Sequence, residues 1–107
     1  MNNKKRVLQG MRPTGRLHLG NYFGTAKGMV ALQEDSSYET YYMVADLHGI
    51  TTPFDSKKIY PDALSVVTDY LACGLDPEKS AIFLQSQLAD LHTQLAFYFS
   101  SVVYIFD

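Results

Sequence analysis

Three short apolar runs, each followed by a loop and then a stretch with helical spacing, constrain this chain more than any other feature of its sequence. Val7-Leu8-Gln9 runs into Gly10, and the loop Met11 to Leu19 carries Pro13 and Gly15. Gly20 to Gln33 then has helical spacing, with Tyr22, Ala26, Met29, Val30 and Gln33 on one face and polar Lys27 and Gln33 at its boundary. The second run, Thr40-Tyr41-Tyr42-Met43-Val44-Ala45, is apolar without alternation, which predicts a strand buried on both faces of a parallel sheet. It ends in Asp46-Leu47-His48-Gly49. In Asp55 to Cys73 the residues Leu64, Val67, Tyr70 and Leu71 are expected on one buried face, and Gly74 supplies a C-terminal stop. Pro61 delays that helix to about Tyr60 or kinks its first turns. Ala81-Ile82-Phe83-Leu84 is the third strand, and Leu88, Leu91, Leu95 and Phe99 form a third helical stripe.

The order βαβαβα predicts an α/β fold, half of a doubly wound parallel sheet with right-handed crossovers. Three parallel strands leave edges and helix flanks uncovered, so a second half, a second copy, or both is expected against them. With 107 residues, 47% of them hydrophobic and 13% aromatic, the chain has material for one core. A formal charge of −2 excludes nucleic-acid binding by bulk positive charge and restricts any such contact to a local patch. The single cysteine, Cys73, excludes an intrachain disulfide framework and a multi-cysteine zinc site, and points to a reducing, cytoplasmic address. The basic start Met1 to Arg6 precedes only Val7 and Leu8, too short a run for a signal-peptide core or a membrane span, so no membrane partner is expected.

In such a sheet, ligands lie beyond the carboxyl ends of the strands, where strand order reverses. That rule selects Gly10 to Asn21, Asp46 to Thr52, and Gln85-Ser86-Gln87. In the first loop Gly10 and Gly15 have phosphate-loop spacing, but Arg16 and Leu17 stand where lysine and a hydroxyl are required, so that motif fails. What survives is His18 ahead of Gly20-Asn21 at a helix start. There a glycine lets a nucleotide approach the backbone, and two donors one turn apart converge on an anion. Donors so placed stabilise charge developing at phosphorus, and no nucleophile is needed.

Pro13-Thr14-Gly15-Arg16-Leu17-His18-Leu19-Gly20-Asn21-Tyr22 resembles the first signature of class I aminoacyl-tRNA synthetases, the HIGH motif, here His18-Leu19-Gly20-Asn21. Asn21 in the last place, with the Pro-Thr-Gly lead-in, is similar to the tryptophanyl more than the tyrosyl branch. Val44 to Thr52, Gly74-Leu75-Asp76-Pro77 and Phe83 to Gln87 resemble the same family in order and spacing, over about Val7 to Tyr104. The resemblance implies a Rossmann-like fold of class I synthetase type, with residues 1 to 107 forming the N-terminal part of its ATP-binding catalytic domain. It implies activation of tryptophan to tryptophanyl-adenylate and transfer to tRNA(Trp). Arg12, Pro13, Thr14, Gly20 and Asn21 would contact ATP, with His18 and Asn21 stabilising the α-phosphate. Leu8, Gly10, His48 and Gln85 would serve the amino acid. Magnesium would ride on phosphate oxygens and water without a protein ligand, and the complete enzyme is expected to be a homodimer. The remaining tryptophan-selecting residues, the KMSKS-type signature and the anticodon-binding region would lie past Asp107. The competing readings are a tyrosyl-tRNA synthetase-like fragment and a catalytically silent α/β module that binds nucleotide or a partner.

The other polar residues have structural readings. Asp46 is expected to cap the turn after its strand and His92 to be structural. Arg16 and Lys4-Lys5-Arg6 are expected to be solvated. Tyr41, Tyr42, Tyr70 and Tyr98 are expected in the core, and Cys73 as a small buried apolar residue.

Overall fold

The computed structural model describes residues 3–103, leaving Met1, Asn2 and the Tyr104 to Asp107 end of the resemblance outside the described residues. β1 (Lys5–Met11) leads through a loop into a nearly continuous helical stretch: α1 (Leu19–Asn21), a π-helical segment Tyr22–Ala26, and α2 (Lys27–Glu34). β2 (Tyr38–Val44) is followed by α3 (Asp46–Gly49) and α4 (Ile59–Ala72). β3 (Ala81–Leu84), a 3-10 turn Gln85–Leu88 and α5 (Ala89–Ser100) complete the order. β1 is longer at both ends than the apolar run predicts. Lys5 and Arg6, expected in a solvated tail, are exposed but pair with β2, and Met11, expected in the loop, is buried in the strand.

The three strands are parallel in the order β1-β2-β3. Because they follow sequence order, the described residues contain no reversal of strand order, and the carboxyl-end rule alone locates the candidate site. Register explains which side is covered. Gln9 pairs with Tyr42 and Met11 with Val44, while Tyr42 and Val44 pair with Ile82 and Leu84. These residues share one face, and Ala26 of the π-helical segment, Met29 of α2 and Ala63, Val66 and Tyr70 of α4 join it in one apolar cluster. Two buried tyrosines tie it to the backbone: the Tyr42 hydroxyl donates to the Met29 carbonyl at 2.7 Å, and that of Tyr70 to the Met43 carbonyl at 3.1 Å.

The opposite sheet face departs from the expectation of a strand buried on both sides. Tyr41 and Met43 are only half-buried and Leu8 is 61% exposed, because an apolar run records what a strand tolerates on both faces, not what packs there. In the first helical stretch Ala26, Met29 and Gln33 are buried, whereas Tyr22, expected on that face, is at the exposed margin. Gln33 is no boundary residue. Its Nε2 donates to the Gly74 carbonyl at 3.2 Å, and its Oε1 accepts from the Asp76 amide at 2.7 Å and the Ser80 hydroxyl at 3.1 Å. That network fastens α2 to the turn before β3, and Gly74, at φ +107°, closes α4 as its C-terminal stop.

Pro61 sits in the first turn of α4, where it costs no helix bond. The amide of Asp62 is the first to reach back, to the Lys58 carbonyl at 2.8 Å. Of the expected stripe Tyr70 is buried and Val67 packs partly against the core, but Leu64 and Leu71 are exposed, and Ala63 and Val66 complete the buried face instead. α5 corrects the sequence reading more strongly. Leu88, Leu91, Leu95 and Phe99 do fall at helical spacing, yet none of the described residues of α5 is buried, and Tyr98, expected in the core, is 64% exposed. The main packing of α5 is against the 3-10 turn that precedes it. Spacing identifies an apolar face but not its cover.

Burial pushes the Tyr70 hydroxyl up to about 12, with the main chain at Met11 drawing it partly back. An unfolded tyrosine titrates near 10, so between about pH 10 and 12 the unfolded chain ionises while the folded hydroxyl holds its proton. The stability contributed by the neutral group is therefore complete below about pH 10 and is lost on the way to 12, by about 2–3 kcal/mol. Denaturant melts at about pH 9 and about pH 11.5 should show that loss, and Tyr70→Phe should remove its share. An equal loss in Tyr70→Phe would assign the alkaline weakness to other groups.

Candidate functional site at the carboxyl ends of the strands

The loop leaving β1 turns at Gly15, whose φ of +100° lies in the region open to glycine. It closes on His18, which has extended backbone and caps α1. The cap is reciprocal: His18 Nδ1 accepts from the Asn21 amide at 3.3 Å, and the His18 amide donates to Asn21 Oδ1 at 3.1 Å. In the neutral ring an accepting Nδ1 leaves the proton on Nε2. The two contacts thus consume the inner acceptors of both side chains and leave the His18 Nε2–H and the Asn21 amide NH2 as donors.

Gly20 lies inside this pair. A Cβ built there would come within 2.9 Å of His18 Cε1 and 3.0 Å of Nδ1, so the imidazole occupies the space that glycine vacates. Arg12, Thr14, Arg16 and Asn21 line a cleft of about 190 Å³ with Met11, Gly15 and Leu17. Both arginines are exposed, as expected for Arg16. Pro13 and Thr14 also border a second hollow, with Gly49, Thr52 and Pro53 of the next strand end. The structure therefore gathers Arg12, Thr14, His18, Gly20 and Asn21 around one loop.

A second group forms where β2 and β3 end. Asp46, buried, accepts at Oδ1 from the Leu47 amide at 3.0 Å and from the Ser86 amide at 2.8 Å. The expected turn cap is therefore also a bridge between two strand ends. Beside it, Gln85 Oε1 accepts from the His48 amide at 3.0 Å, which fixes the backbone of His48, itself an exposed residue. Leu8 and Gly10 lie on the open sheet face of β1, where a Cβ at Gly10 would meet the Met43 side chain. His92 is half-buried on α5.

One further residue, Asp69, shapes the site without a sequence signal, and Cys73, expected to be buried, is only half-buried beside it. Asp69 of α4 accepts the Leu17 amide at 3.0 Å, from 52 positions away. Burial first, then the Asp69 charge, pushes the Cys73 thiol up, so it carries little thiolate character. Among the described residues no group of three or more His, Cys, Asp or Glu is placed to hold a metal ion, and no helix is long and apolar enough to cross a membrane.

The family described as tRNA synthetases class I (W and Y) matches residues 1–107. The chain belongs to this family. It is 46% identical over 95 residues to a tryptophan--tRNA ligase of Prochlorococcus marinus subsp. pastoris, a match covering 89% of this chain and 27% of the relative. It is also 46% identical over 99 residues to the tryptophan--tRNA ligase of Thermotoga maritima, covering 92% and 30% respectively. The chain thus spans less than a third of the length of these relatives. A solved tryptophanyl-tRNA synthetase from Campylobacter jejuni, complexed with ADP and tryptophan, superposes with a TM-score of 0.80 at 37% identity, covering 91% of this chain and 30% of that one. Three parallel strands with intervening helices are the Rossmann-like α/β architecture of this class I family.

Proposed function

We propose that residues 1–107 form the N-terminal, ATP-binding part of a catalytic domain that activates tryptophan to tryptophanyl-adenylate and, in the complete enzyme, transfers it to tRNA(Trp). The observation that carries this reading is the reciprocal His18–Asn21 cap at the carboxyl end of β1, in a chain of this family with tryptophan--tRNA ligases among its relatives.

Arg12, Pro13, Thr14, Gly20 and Asn21 bind ATP around the loop. The His18 Nε2–H and the Asn21 amide donate to the α-phosphate. A tryptophan carboxylate oxygen attacks the α-phosphorus, the bond to the bridging oxygen breaks, and pyrophosphate leaves with that oxygen. Charge on the α-phosphate oxygens rises as the bond to the nucleophile forms, so donors already locked in place by the cap stabilise the transition state without reorganising. Leu8, Gly10, His48 and Gln85 hold the amino acid. With the Gln85 carbonyl engaged by the His48 amide, its NH2 is the end offered to the ligand. Magnesium fits this donor set only as an ion held by phosphate oxygens and water, because the loop supplies no carboxylate cluster. A homodimer in the cytoplasm belongs to the same reading, supported by the open apolar faces of the sheet and α5 and by a single cysteine, which suits a reducing compartment.

Amino-acid-dependent ATP–pyrophosphate exchange tests the proposal, run with tryptophan and tyrosine side by side and Gly20→Leu as the control. The expected result is exchange with tryptophan alone, abolished in the control. Exchange with tyrosine alone would overturn the amino-acid assignment, and exchange that survives Gly20→Leu would overturn the placement of ATP. If the chain exchanges with neither amino acid, the activation chemistry requires more of the enzyme than these residues.

A further inference from the structure

We propose that Asp69 is a positioning residue for His18. The carboxylate belongs to α4, far from the signature in sequence, yet its Oδ2 accepts the backbone amide of Leu17, the residue immediately before the capping histidine, at 3.0 Å. That bond anchors the end of the loop to the helix layer. The loop's other contacts are weaker anchors: the Thr14 amide bonds locally to the Arg12 carbonyl, and Pro13 lies beside Gly49. The loop and α4 face each other across a cleft lined by Leu17, His18, Leu19, Tyr22, Asp69, Ala72 and Cys73, so Asp69 and the imidazole border the same space.

Helix energetics do not account for an aspartate here. Asp69 lies in the last turn of α4, where exposed carbonyls give the helix its negative end and a carboxylate is disfavoured. An acidic residue at that position needs a compensating partner, and the Leu17 amide supplies it. A charged acceptor makes a stronger bond than a neutral one, so the loop end is held more firmly than a backbone contact would hold it. Rigidity at Leu17 matters because the Nδ1 contact to the Asn21 amide, at 3.3 Å, is long, and an imidazole on a fraying loop would exchange tautomers and lose the outward Nε2–H.

The role of Asp69 in ATP binding rests on the phosphate reading of His18, but its effect on the imidazole does not, and the experiment separates the two. In 15N NMR spectra of the 107-residue chain, His18 should hold the Nε2–H tautomer and the Leu17 amide should exchange slowly with solvent. Asp69→Ala should mix the tautomers and weaken ATP binding about tenfold, whereas Asp69→Asn, which keeps a carbonyl acceptor, should remain within about twofold of the wild type. Unchanged tautomer and affinity in Asp69→Ala, or an equal loss in both variants, overturns the proposal. Should Asp69→Ala not fold, the wild-type exchange rate decides: a Leu17 amide exchanging as fast as an open loop overturns it. Mixed tautomers in Asp69→Ala beside a wild type that binds no ATP would uphold the positioning of His18 and overturn the phosphate reading instead.

Discussion

Gly20→Ala is expected to weaken ATP binding by about a hundredfold while lowering the melting midpoint by only about 5 °C. The new methyl group would sit 2.9 Å from His18 Cε1 and 3.0 Å from Nδ1, inside van der Waals contact. Backbone can yield little at a capped turn, so the imidazole must swing away. That motion breaks the Nδ1 contact to the Asn21 amide and turns the Nε2–H from the space where the phosphate is proposed to lie. The cost to folding is one helix cap, about 1 kcal/mol. The cost to binding is larger because the imidazole donor is lost and the ring swings into the space beside the Asn21 donor, which the His18 amide still holds. Gly24→Ala is the matched control, since a Cβ there meets nothing within 4 Å and the position is equally helical. Calorimetric titration of ATP into both variants checks the expectation. Equal affinity in the two would remove His18 from the phosphate site.

A second large effect is expected at Gly10, in stability first. A Cβ at Gly10 would lie 2.5 Å from Met43 Cγ and 2.8 Å from the Met43 carbonyl oxygen. The thioether can rotate, but the carbonyl belongs to a strand paired on both sides, and β1 cannot retreat from it without opening the ladder. Gly10→Val should therefore destabilise the chain by about 3 kcal/mol, at the upper end of overpacking costs, and Gly10→Ala by about 2. Urea unfolding monitored by circular dichroism measures both. A loss below about 0.5 kcal/mol for Gly10→Val would mean that Met43 and β1 adjust freely, leaving Gly10 only the amino-acid-binding role proposed for it.

Much of the fold was legible before the structure. Apolar runs mark where β2 and β3 stop, to within a residue, and β3 also begins where its run does, whereas β1 outruns its apolar stretch at both ends. Pro61 left a delayed start of α4 or a kinked first turn open, and the structure takes the delayed start, at Ile59, because a missing amide costs nothing in a first turn. His18 and Asn21 were legible as two donors one turn apart at a helix start, whereas the reciprocal cap that joins them was found only in the structure. Position after a strand also marked His48 and Gln85, but their contact through the His48 amide joins residues 37 apart and had no local trace.

The errors share one cause. Leu64 and Leu71 were expected on the face of α4 that carries Tyr70, yet Ala63 and Val66 share the buried side with it, because helical spacing leaves the centre of the buried arc to be set by what packs against it. Tyr98 on α5 and the second face of β2 were expected to be buried, but apolarity states what a surface can bury and says nothing of what reaches it. The sequence by itself determined the alternation of strands and helices, the turns, and the signature that presents His18 and Asn21, since these follow from dihedral preference and from groups within a few bonds. Only the tertiary structure decided which face each helix buries, that Asp46 bridges two strand ends, and that Asp69 holds Leu17. Those contacts depend on where the chain returns in space, and the energy of a packed pair is shared between segments that carry no mark of each other.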